Sequence, residues 1–174
     1  MTIYEKMYKK LAKIIDLDLL LKEEYLKYKS NIAMDLNINL LFRNKYSIRI
    51  SLAHNYIQNG DLMCDPDMEI IIYPESKMVE ALTYQDCFGY RRVYDKKGRV
   101  LPKTKNQLNT FLNQWLSNIL QQNFELYKEN KILRNCPKCR QLLDIKEFMT
   151  PEAKICRSCQ MQSINKLAGE VNVC

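Results

Sequence analysis

The sequence predicts an α+β domain followed by a small cysteine-rich module. Apolar residues recur at helical spacing near both ends of the first 126 residues, the stretch between them alternates apolar and polar residues, and two C-x2-C pairs lie near the end. We therefore expect three parts: the α+β domain at 1–126, a charged linker at 127–134 and the module at 135–174.

The N-terminal segment predicts one clear helix and one weaker helix. From Tyr4 to Ile15, apolar side chains fall on one face of a helix with about 3.6 residues per turn, and lysines occupy the opposite face. A second helical stretch is expected from Leu19 to Tyr28.

The middle of the chain predicts antiparallel strands. Met34 to Leu40 and Ile48 to Leu52 alternate apolar and polar residues, and residues 42–45 between them form a short, mainly polar connection of hairpin length. Gly98 favours a turn after the last strand, because glycine can adopt a positive φ. Three further strands are expected at 68–73, 78–84 and 90–94.

A long amphipathic helix is the clearest single element. Thr104 and Gln107 have the spacing of a capping box at its start. This helix must pack on an apolar surface, and the inner face of the antiparallel sheet is the expected partner, with the N-terminal helix beside it. Its apolar stripe comprises Leu108, Phe111, Leu112, Trp115, Leu116, Ile119, Leu120 and Phe124.

Four cysteines give the strongest functional signal. Cys136 and Cys139 form one C-x2-C pair, and Cys156 and Cys159 form a second after sixteen intervening residues. Four thiolates complete the tetrahedral shell of one structural Zn2+ ion and leave no position for water or substrate. The alternative is two disulfides or free buried thiols, which fits less well because disulfide frameworks belong to secreted chains. The module is expected to be a zinc ribbon or a treble-clef-like finger, with a short helix at 160–168.

Composition restricts the class of protein. The 174-residue chain carries 27 basic and 20 acidic side chains, a net charge of +7 that permits phosphate contacts but is also common in ordinary basic proteins. It has no apolar stretch of membrane-spanning length and no secretory signal, so we expect a soluble protein of the reducing cytoplasm. Cys64 and Cys87 are expected to be small buried side chains. The four glycines form no nucleotide-binding loop.

Basic side chains form two candidate binding groups. The first lies in a predicted hairpin, where cations interleave with tyrosines and could contact phosphates and bases: Arg91, Arg92, Lys96, Lys97 and Arg99. The alternative is a sheet-edge hairpin in which Tyr90 and Tyr94 pack inward and the lysines are solvated. The second group would be fixed by the metal on a rigid frame: Lys138, Arg140, Lys154 and Arg157.

A cluster of carboxylates follows the only histidine, His54. The four acidic residues could hold Mg2+ or Ca2+, but their spacing matches no EF-hand loop, and we favour an acidic surface loop. His54 closes an alternating strand and is expected to be a packed polar side chain. The acidic residues are Asp61, Asp65, Asp67 and Glu69.

A short pattern is compatible with a nuclease. Asp67 follows Pro66, and Glu75 and Lys77 come soon after, as in nucleases whose two carboxylates hold Mg2+ while a lysine steadies the attacking water. Here Glu75 and Lys77 fall in a proline-containing turn rather than in a strand. A metal-dependent nuclease is therefore a remote alternative.

Several motifs resemble those of a known family. They are HNYIQNGDLM at 54–63, DPDME at 65–69, MVEA at 78–81 and NTFLNQWL at 109–116. Over about residues 4–122 the pattern is similar to that of the YqiB-like family of small bacterial proteins. The resemblance implies a compact α+β domain and no catalytic residue, because that family has no assigned activity. Its short members end after the tryptophan helix, so the cysteine module is an addition.

Together these features predict a non-enzymatic binding protein with no membrane partner. The first hypothesis is binding of nucleic acid or of a nucleoprotein complex. The alternative is a protein–protein inhibitor or adaptor, such as a phage- or plasmid-borne blocker of a host defence nuclease, of anti-CRISPR or anti-restriction type. Steep weakening by salt would support the first hypothesis, and salt-tolerant association with one protein would support the second.

Overall fold

The computed structural model describes residues 1–58, 61–128, 131–148, 150 and 153–162. It divides the chain into two compact units, Met1–Phe124 and Glu125–Cys174. The first unit contains helices and a sheet, and the second contains the four cysteines.

Helix α1 (Ile3–Ile14) begins at a capping box. The Thr2 hydroxyl accepts a hydrogen bond from the Glu5 N–H, and the Glu5 carboxylate accepts one from the Thr2 N–H at 2.6 Å. Met7 and Leu11 are buried on the apolar face of the helix, as its spacing predicted.

The predicted second helix is shorter than expected. Helix α2 (Leu17–Glu23) ends at Glu24, whose φ of 61° lies in the left-handed region and stops the helix. The following residues form strand β1 (Tyr25–Lys29) instead of continuing the helix to Tyr28. Leu26 and Tyr28 are buried and alternate with more exposed neighbours, so pairing in the sheet outweighs the local helical preference.

The sheet of the first unit is antiparallel throughout its described pairings. Its strands lie in the order β1-β2-β3-β4-β6-β7, and β5 also pairs with β4. After β1 they are β2 (Asp35–Arg43), β3 (Ile48–Gln58), β4 (Asp61–Tyr73), β5 (Met78–Ala81), β6 (Thr83–Asp86) and β7 (Gly89–Arg92).

Strand β4 begins at Asp61 rather than at the predicted Met68. The acidic residues expected in a surface loop therefore lie within a strand that pairs with β3. A register shift between Ala53 and Asn55 accommodates the segment around Pro66, which has no N–H to contribute to a ladder. The prediction of a surface loop was wrong because it relied on acidic composition, whereas this segment forms one strand of the long hairpin of β3 and β4.

The strand predicted at 78–84 is divided at Leu82. Its N–H donates to Glu69 O at 2.8 Å, and the chain passes from β5 to β6 at this point. The predicted turn at 95–98 is present, with Gly98 at a φ of 75° and its N–H donating to Asp95 O.

The predicted capping box at the start of the long helix is absent. Helix α3 (Pro102–Gln121) begins at Pro102, with Leu101 as N-cap and no side-chain cap hydrogen bond. Proline has a helical φ and needs no hydrogen-bond acceptor at this position, so Pro102 sets the start and Thr104 falls inside the first turn.

The apolar stripe of α3 forms much of the core. Helix α3 contacts α1, and both contact β5. The Lys10 ammonium also joins the two helices, because it donates to Asn113 O and to Ser117 Oγ. Phe111 and Leu120 stay partly exposed, but the predicted α+β class with helices and an antiparallel sheet is confirmed. The buried stripe residues are Leu108, Leu112, Trp115, Leu116 and Ile119.

The second unit contains a small antiparallel sheet. Strand β8 (Glu125–Lys128) pairs with β9 (Lys131–Asn135), which pairs with β10 (Leu142–Asp144). A 3-10 turn follows at Ile145–Glu147, and residues 157–162 are helical. The helix predicted at 160–168 therefore starts earlier, and its residues 163–168 lie outside the described residues.

The linker expected at 127–134 is wrong where the structure describes it. Tyr127 and Lys128 lie in β8, and 131–134 belong to β9. Charged composition suggested a linker, but backbone pairing and the burial of Leu126 place these residues in the second unit. Within the described ranges, every helix is too short or too polar to cross a membrane.

Candidate metal centre

The first cysteine pair lies in a tight turn between β9 and β10. The Arg140 N–H donates to Cys136 O at 2.7 Å, and the Cys136 N–H donates to Gln141 O at 3.0 Å. Arg140 has a φ of 59°, the left-handed conformation that lets the chain reverse here. Cys139 lies within this turn, so local backbone geometry positions both sulfurs.

The second pair lies where the helical residues 157–162 begin. Cys156 forms an isolated antiparallel bridge with Phe148, and its carbonyl accepts from the Gln160 N–H at 3.0 Å, as in a helical turn. Cys159 follows within that turn. One pair on a strand turn and one at a helix start make a treble-clef-like arrangement, so this alternative fits the module better than a zinc ribbon.

The four sulfurs converge on one point. The Sγ atoms of Cys136, Cys139, Cys156 and Cys159 all lie within 4.8 Å of one another, and those of Cys139 and Cys156 are 3.8 Å apart. Tetrahedral ligation with metal–sulfur distances of about 2.3 Å gives sulfur–sulfur edges of about 3.8 Å. A disulfide would need about 2.05 Å. The cluster therefore has the dimensions of a four-thiolate metal site.

The cluster is closed on most sides. Cys136, Cys156 and Cys159 are buried, whereas Cys139 is exposed. The same three cysteines form a small core with Phe148, and Leu143 and Ala153 pack against it. A metal held by all four sulfurs would have no open coordination position, so the arrangement suits a structural role.

Backbone N–H groups favour a thiolate at Cys136. Burial opposes its ionisation, but hydrogen bonds from the N–H groups of Cys156, Cys139 and Lys138 lower its pKa to about 6. Burial and the neighbouring sulfurs raise the pKa of Cys159 to about 12. Adjacent thiolates repel one another, so a divalent cation would supply the charge that allows all four to ionise.

Arg134 supports the centre and was missed by sequence analysis. Its guanidinium donates to Ala153 O at 2.8 Å, pairs with the Glu125 carboxylate and lies 5.2 Å from the centre of the Phe148 ring. It therefore joins β8, β9 and the segment before the second cysteine pair. Because Arg134 falls in the segment predicted as a linker, the sequence did not indicate this role. The apolar residues before it in β9 did favour a strand.

The predicted cations of the second unit lie close to the four cysteines in the sequence, and all of them are exposed. Lys138 Nζ donates to Cys159 O at 3.0 Å, which fixes one of them on the centre. Arg140, Lys154 and Arg157 make no ion pair with an acidic residue in the described part of the chain.

The other predicted cations belong to the first unit. Arg91 is exposed and stacks on the Tyr84 ring at 4.6 Å, while Arg92 is half-buried. Lys96 and Lys97 are exposed in the turn after β7, and Arg99 pairs with Asp95 at 2.8 Å.

The sheet-edge interpretation of this hairpin holds only in part. Tyr94 turns inward and its hydroxyl donates to Glu80 at 2.8 Å, but Tyr90 is 58% exposed. Cys87, which was expected to be buried, is exposed between β6 and β7.

His54 is a packed core side chain. It is 6% exposed, stacks on Phe124 with ring centres 5.7 Å apart, and meets the edge of Trp115 at 5.4 Å. Its Nδ1 lies 3.2 Å from Asp35 O. These contacts match the packed role expected from the sequence.

The residues of the nuclease-like pattern are separated. Asp67 lies in β4 and accepts from Ser51 Oγ at 2.9 Å, whereas Glu75 and Lys77 lie in the turn beyond Tyr73. Six strand residues span about 20 Å, so Asp67 and Glu75 cannot share a metal in this fold. Within the described residues, the four cysteines are the one cluster with metal-ligating geometry.

Comparison with known proteins gives a family for the first unit. No curated protein and no solved structure matches the chain. The model of the family described as Domain of unknown function (DUF6908) matches residues 3–125, and the four cysteines lie outside that range. This match does not bear on the resemblance to YqiB-like proteins, which stays a prediction. The chain belongs to the DUF6908 family and carries its four-cysteine cluster C-terminal to the family domain.

Proposed function

We propose that the protein is a non-enzymatic, zinc-containing binding protein of the reducing cytoplasm and that its second unit binds nucleic acid, free or within a nucleoprotein complex. Zinc is the metal of choice for four thiolates in tetrahedral geometry. Its role would be to stabilise a unit whose core is otherwise a few side chains.

One observation supports nucleic acid as the partner. Arg140, Lys154 and Arg157 are exposed without a described acidic partner, on turns that the metal would rigidify. A structural role would favour pairing these cations, whereas phosphate binding requires that they be available. From Lys131 onward the chain carries eight basic and four acidic residues, and zinc with four thiolates contributes −2, so the loaded segment is about +2.

The test is binding of a labelled duplex of about 20 base pairs, measured by fluorescence anisotropy at several salt concentrations. Replacing Arg140, Lys154 and Arg157 by alanine should weaken binding and make the slope of log K against log salt shallower by up to about 2.7, because up to three phosphate contacts are lost.

A matched control removes the same charge elsewhere. Lys9, Lys13 and Lys22 are exposed on α1 and α2, and their replacement by alanine should leave the salt slope unchanged. Equal effects of the two triple variants would mean that net charge, and not the second unit, determines binding. Metal analysis of the purified protein should give one zinc per chain.

A protein partner is the second candidate, and a different observation favours it. Leu142, Ile155 and Met161 are partly exposed on the small second unit, which suits an apolar protein contact. Such a protein would act as an inhibitor or adaptor, for example against a host defence nuclease. Co-purification with and without added nuclease separates the candidates: a protein complex that survives nuclease and high salt supports this function, and loss of all partners supports nucleic acid.

A further inference from the structure

The hairpin of β6 and β7 carries an exposed aromatic residue at its tip. Phe88 is 94% exposed, and Tyr90, two positions later in β7, is 58% exposed. A phenylalanine ring in water forgoes the burial that most aromatic side chains obtain. Its exposure on an ordered turn therefore suggests a partner.

The hairpin tip, residues 86–89, is held by its own hydrogen bonds. Asp86 Oδ1 accepts from the Phe88 N–H and from the Gly89 N–H, both at 2.9 Å. The Asp86 carboxylate also bonds the side chain of Tyr84, which contributes to the lowered pKa of Asp86. The tip thus presents the Phe88 ring from a fixed turn.

The base of the hairpin is anchored to α3. The Tyr84 ring packs edge-to-face on Phe111 with centres 5.0 Å apart, and Phe111 lies 6.1 Å from Trp115. Arg91 stacks over the Tyr84 ring, 4.6 Å from its centre. The hairpin is therefore connected to the core, and the Arg91 cation is oriented before any ligand arrives.

Exposed cations follow the hairpin tip along the chain. Arg91 is exposed in β7, and Lys96 and Lys97 are exposed in the turn that follows. Asp65 interacts with Cys87 beside the tip, so its charge would repel a phosphate there. A phosphate is accordingly expected at the Arg91 guanidinium rather than beside Cys87. Aromatic faces beside such cations recognise unpaired bases of single strands, whereas bases inside a duplex have no free face.

We propose that the β6–β7 hairpin binds single-stranded nucleic acid, with an unpaired base stacked on Phe88 and a neighbouring phosphate contacted by Arg91. This inference rests on the proposed function, because it specifies the strand form that a nucleic-acid-binding protein would recognise. It adds a site in the first unit that is separate from the cations of the second unit.

The experiment measures anisotropy of a labelled oligothymidylate of about 20 nucleotides with the full zinc-loaded chain. Phe88→Ala should weaken binding about fivefold to a hundredfold, because one stacking contact is lost. Phe88→Trp should keep wild-type affinity, and Phe88→Leu should behave like Phe88→Ala, since leucine is apolar but cannot stack. Phe42→Ala, which removes a 53% exposed phenylalanine from β2, should have no effect.

Wild-type affinity of Phe88→Ala or Phe88→Leu would overturn the inference, and so would an equal loss in Phe42→Ala. The triple variant of Arg140, Lys154 and Arg157 distinguishes the two proposals. If that variant loses binding and Phe88→Ala does not, the proposed function stands and the inference fails. If Phe88→Ala alone loses binding, the inference stands and the second unit is not the binding site. A wild-type chain that binds neither single strand nor duplex overturns both.

Discussion

The Sγ atoms of Cys139 and Cys156 lie 3.8 Å apart, although the residues belong to different turns of the second unit. This separation equals the sulfur–sulfur edge expected of a tetrahedral four-thiolate metal site, about 3.8 Å, and is too long for a disulfide. Cys139 is also exposed, whereas Cys156 is buried. The contact between Cys139 and Cys156 therefore brings the two C-x2-C pairs together, and Cys139 is the most accessible cysteine of the cluster.

Cys139→Ser should remove a ligand without disturbing the core of the second unit. We expect zinc affinity to fall at least about tenfold, because serine does not supply a thiolate. Competition with a chromophoric chelator measures this change. Cys87→Ser is the matched control, since Cys87 is exposed and lies outside the cluster. Wild-type zinc affinity in Cys139→Ser would exclude a four-sulfur site.

Removal of zinc should unfold the second unit and leave the first unit folded. Trp115 is the only tryptophan and is buried in the first unit, so its fluorescence reports that unit. A strong chelator should leave its emission unchanged while amide hydrogen exchange accelerates at 131–148 and 153–162. A coincident change of the Trp115 signal would show that the first unit depends on the metal.

The four-cysteine cluster could be predicted from the sequence because its pattern is local. Each C-x2-C pair forms a turn that presents two sulfurs, and this spacing can be recognised in the sequence without knowledge of the surrounding fold. Arg134 could not be found in this way. Its partners, Glu125 and Ala153, lie nine and nineteen positions away, and only the folded unit brings them together.

The fold was predictable where one pattern decides the structure. The alternation around Ile50 and the stripe around Leu112 each gave the correct element, because burial on one face determines both. The predictions were wrong where a contact distant in sequence, or a single residue, outweighed the local hydrophobic or capping pattern. Tyr28 is in a strand because β2 pairs with it, and Pro102 starts the helix ahead of the sequence signal at Thr104.

Asn109 should be important for the stability of the first unit. It is 2% exposed, its Oδ1 accepts from the Ala81 N–H at 3.0 Å, and its Nδ2 donates to Lys105 O. Asn109→Ala would leave the buried Ala81 N–H without an acceptor and should lower the free energy of unfolding by about 1–3 kcal/mol. Urea unfolding followed by Trp115 fluorescence measures the loss. Asn118→Ala, at an exposed site of the same helix, should cost much less.

Arg134→Lys should weaken zinc binding although it keeps the charge. Lysine cannot reproduce the fork that contacts both Glu125 and Ala153 O, and charged hydrogen bonds of this kind contribute about 1.5–3 kcal/mol. Because folding and metal binding are coupled, we expect zinc affinity to fall about tenfold or more. Arg140→Lys is the control, since Arg140 is exposed and has no described ionic partner. Equal zinc affinities of the two variants would contradict a supporting role for Arg134.

Buried His54 should make the first unit sensitive to mild acid. Burial between Trp115 and Phe124 lowers the pKa of its imidazole below the ordinary value of 6.5, despite a hydrogen bond to Asp35 O that opposes the shift. Above pH 6.5 both the folded and the unfolded chain hold neutral imidazole, so stability does not change. As pH falls from 6.5 toward the lower folded pKa, the unfolded state binds a proton that the folded state rejects, and stability is lost.

The size of this effect is limited because His54 is the only histidine. One proton of difference changes the free energy of unfolding by at most about 1.4 kcal/mol per pH unit. We expect the urea midpoint reported by Trp115 to fall between pH 7 and about 5.5, above the range in which ordinary carboxylates titrate. His54→Phe keeps an aromatic ring in the same place and cannot bind a proton, so its midpoint should stay level over this interval. A variant that follows the wild-type slope would mean that other groups cause the acid sensitivity, and that the burial of His54 does not control it.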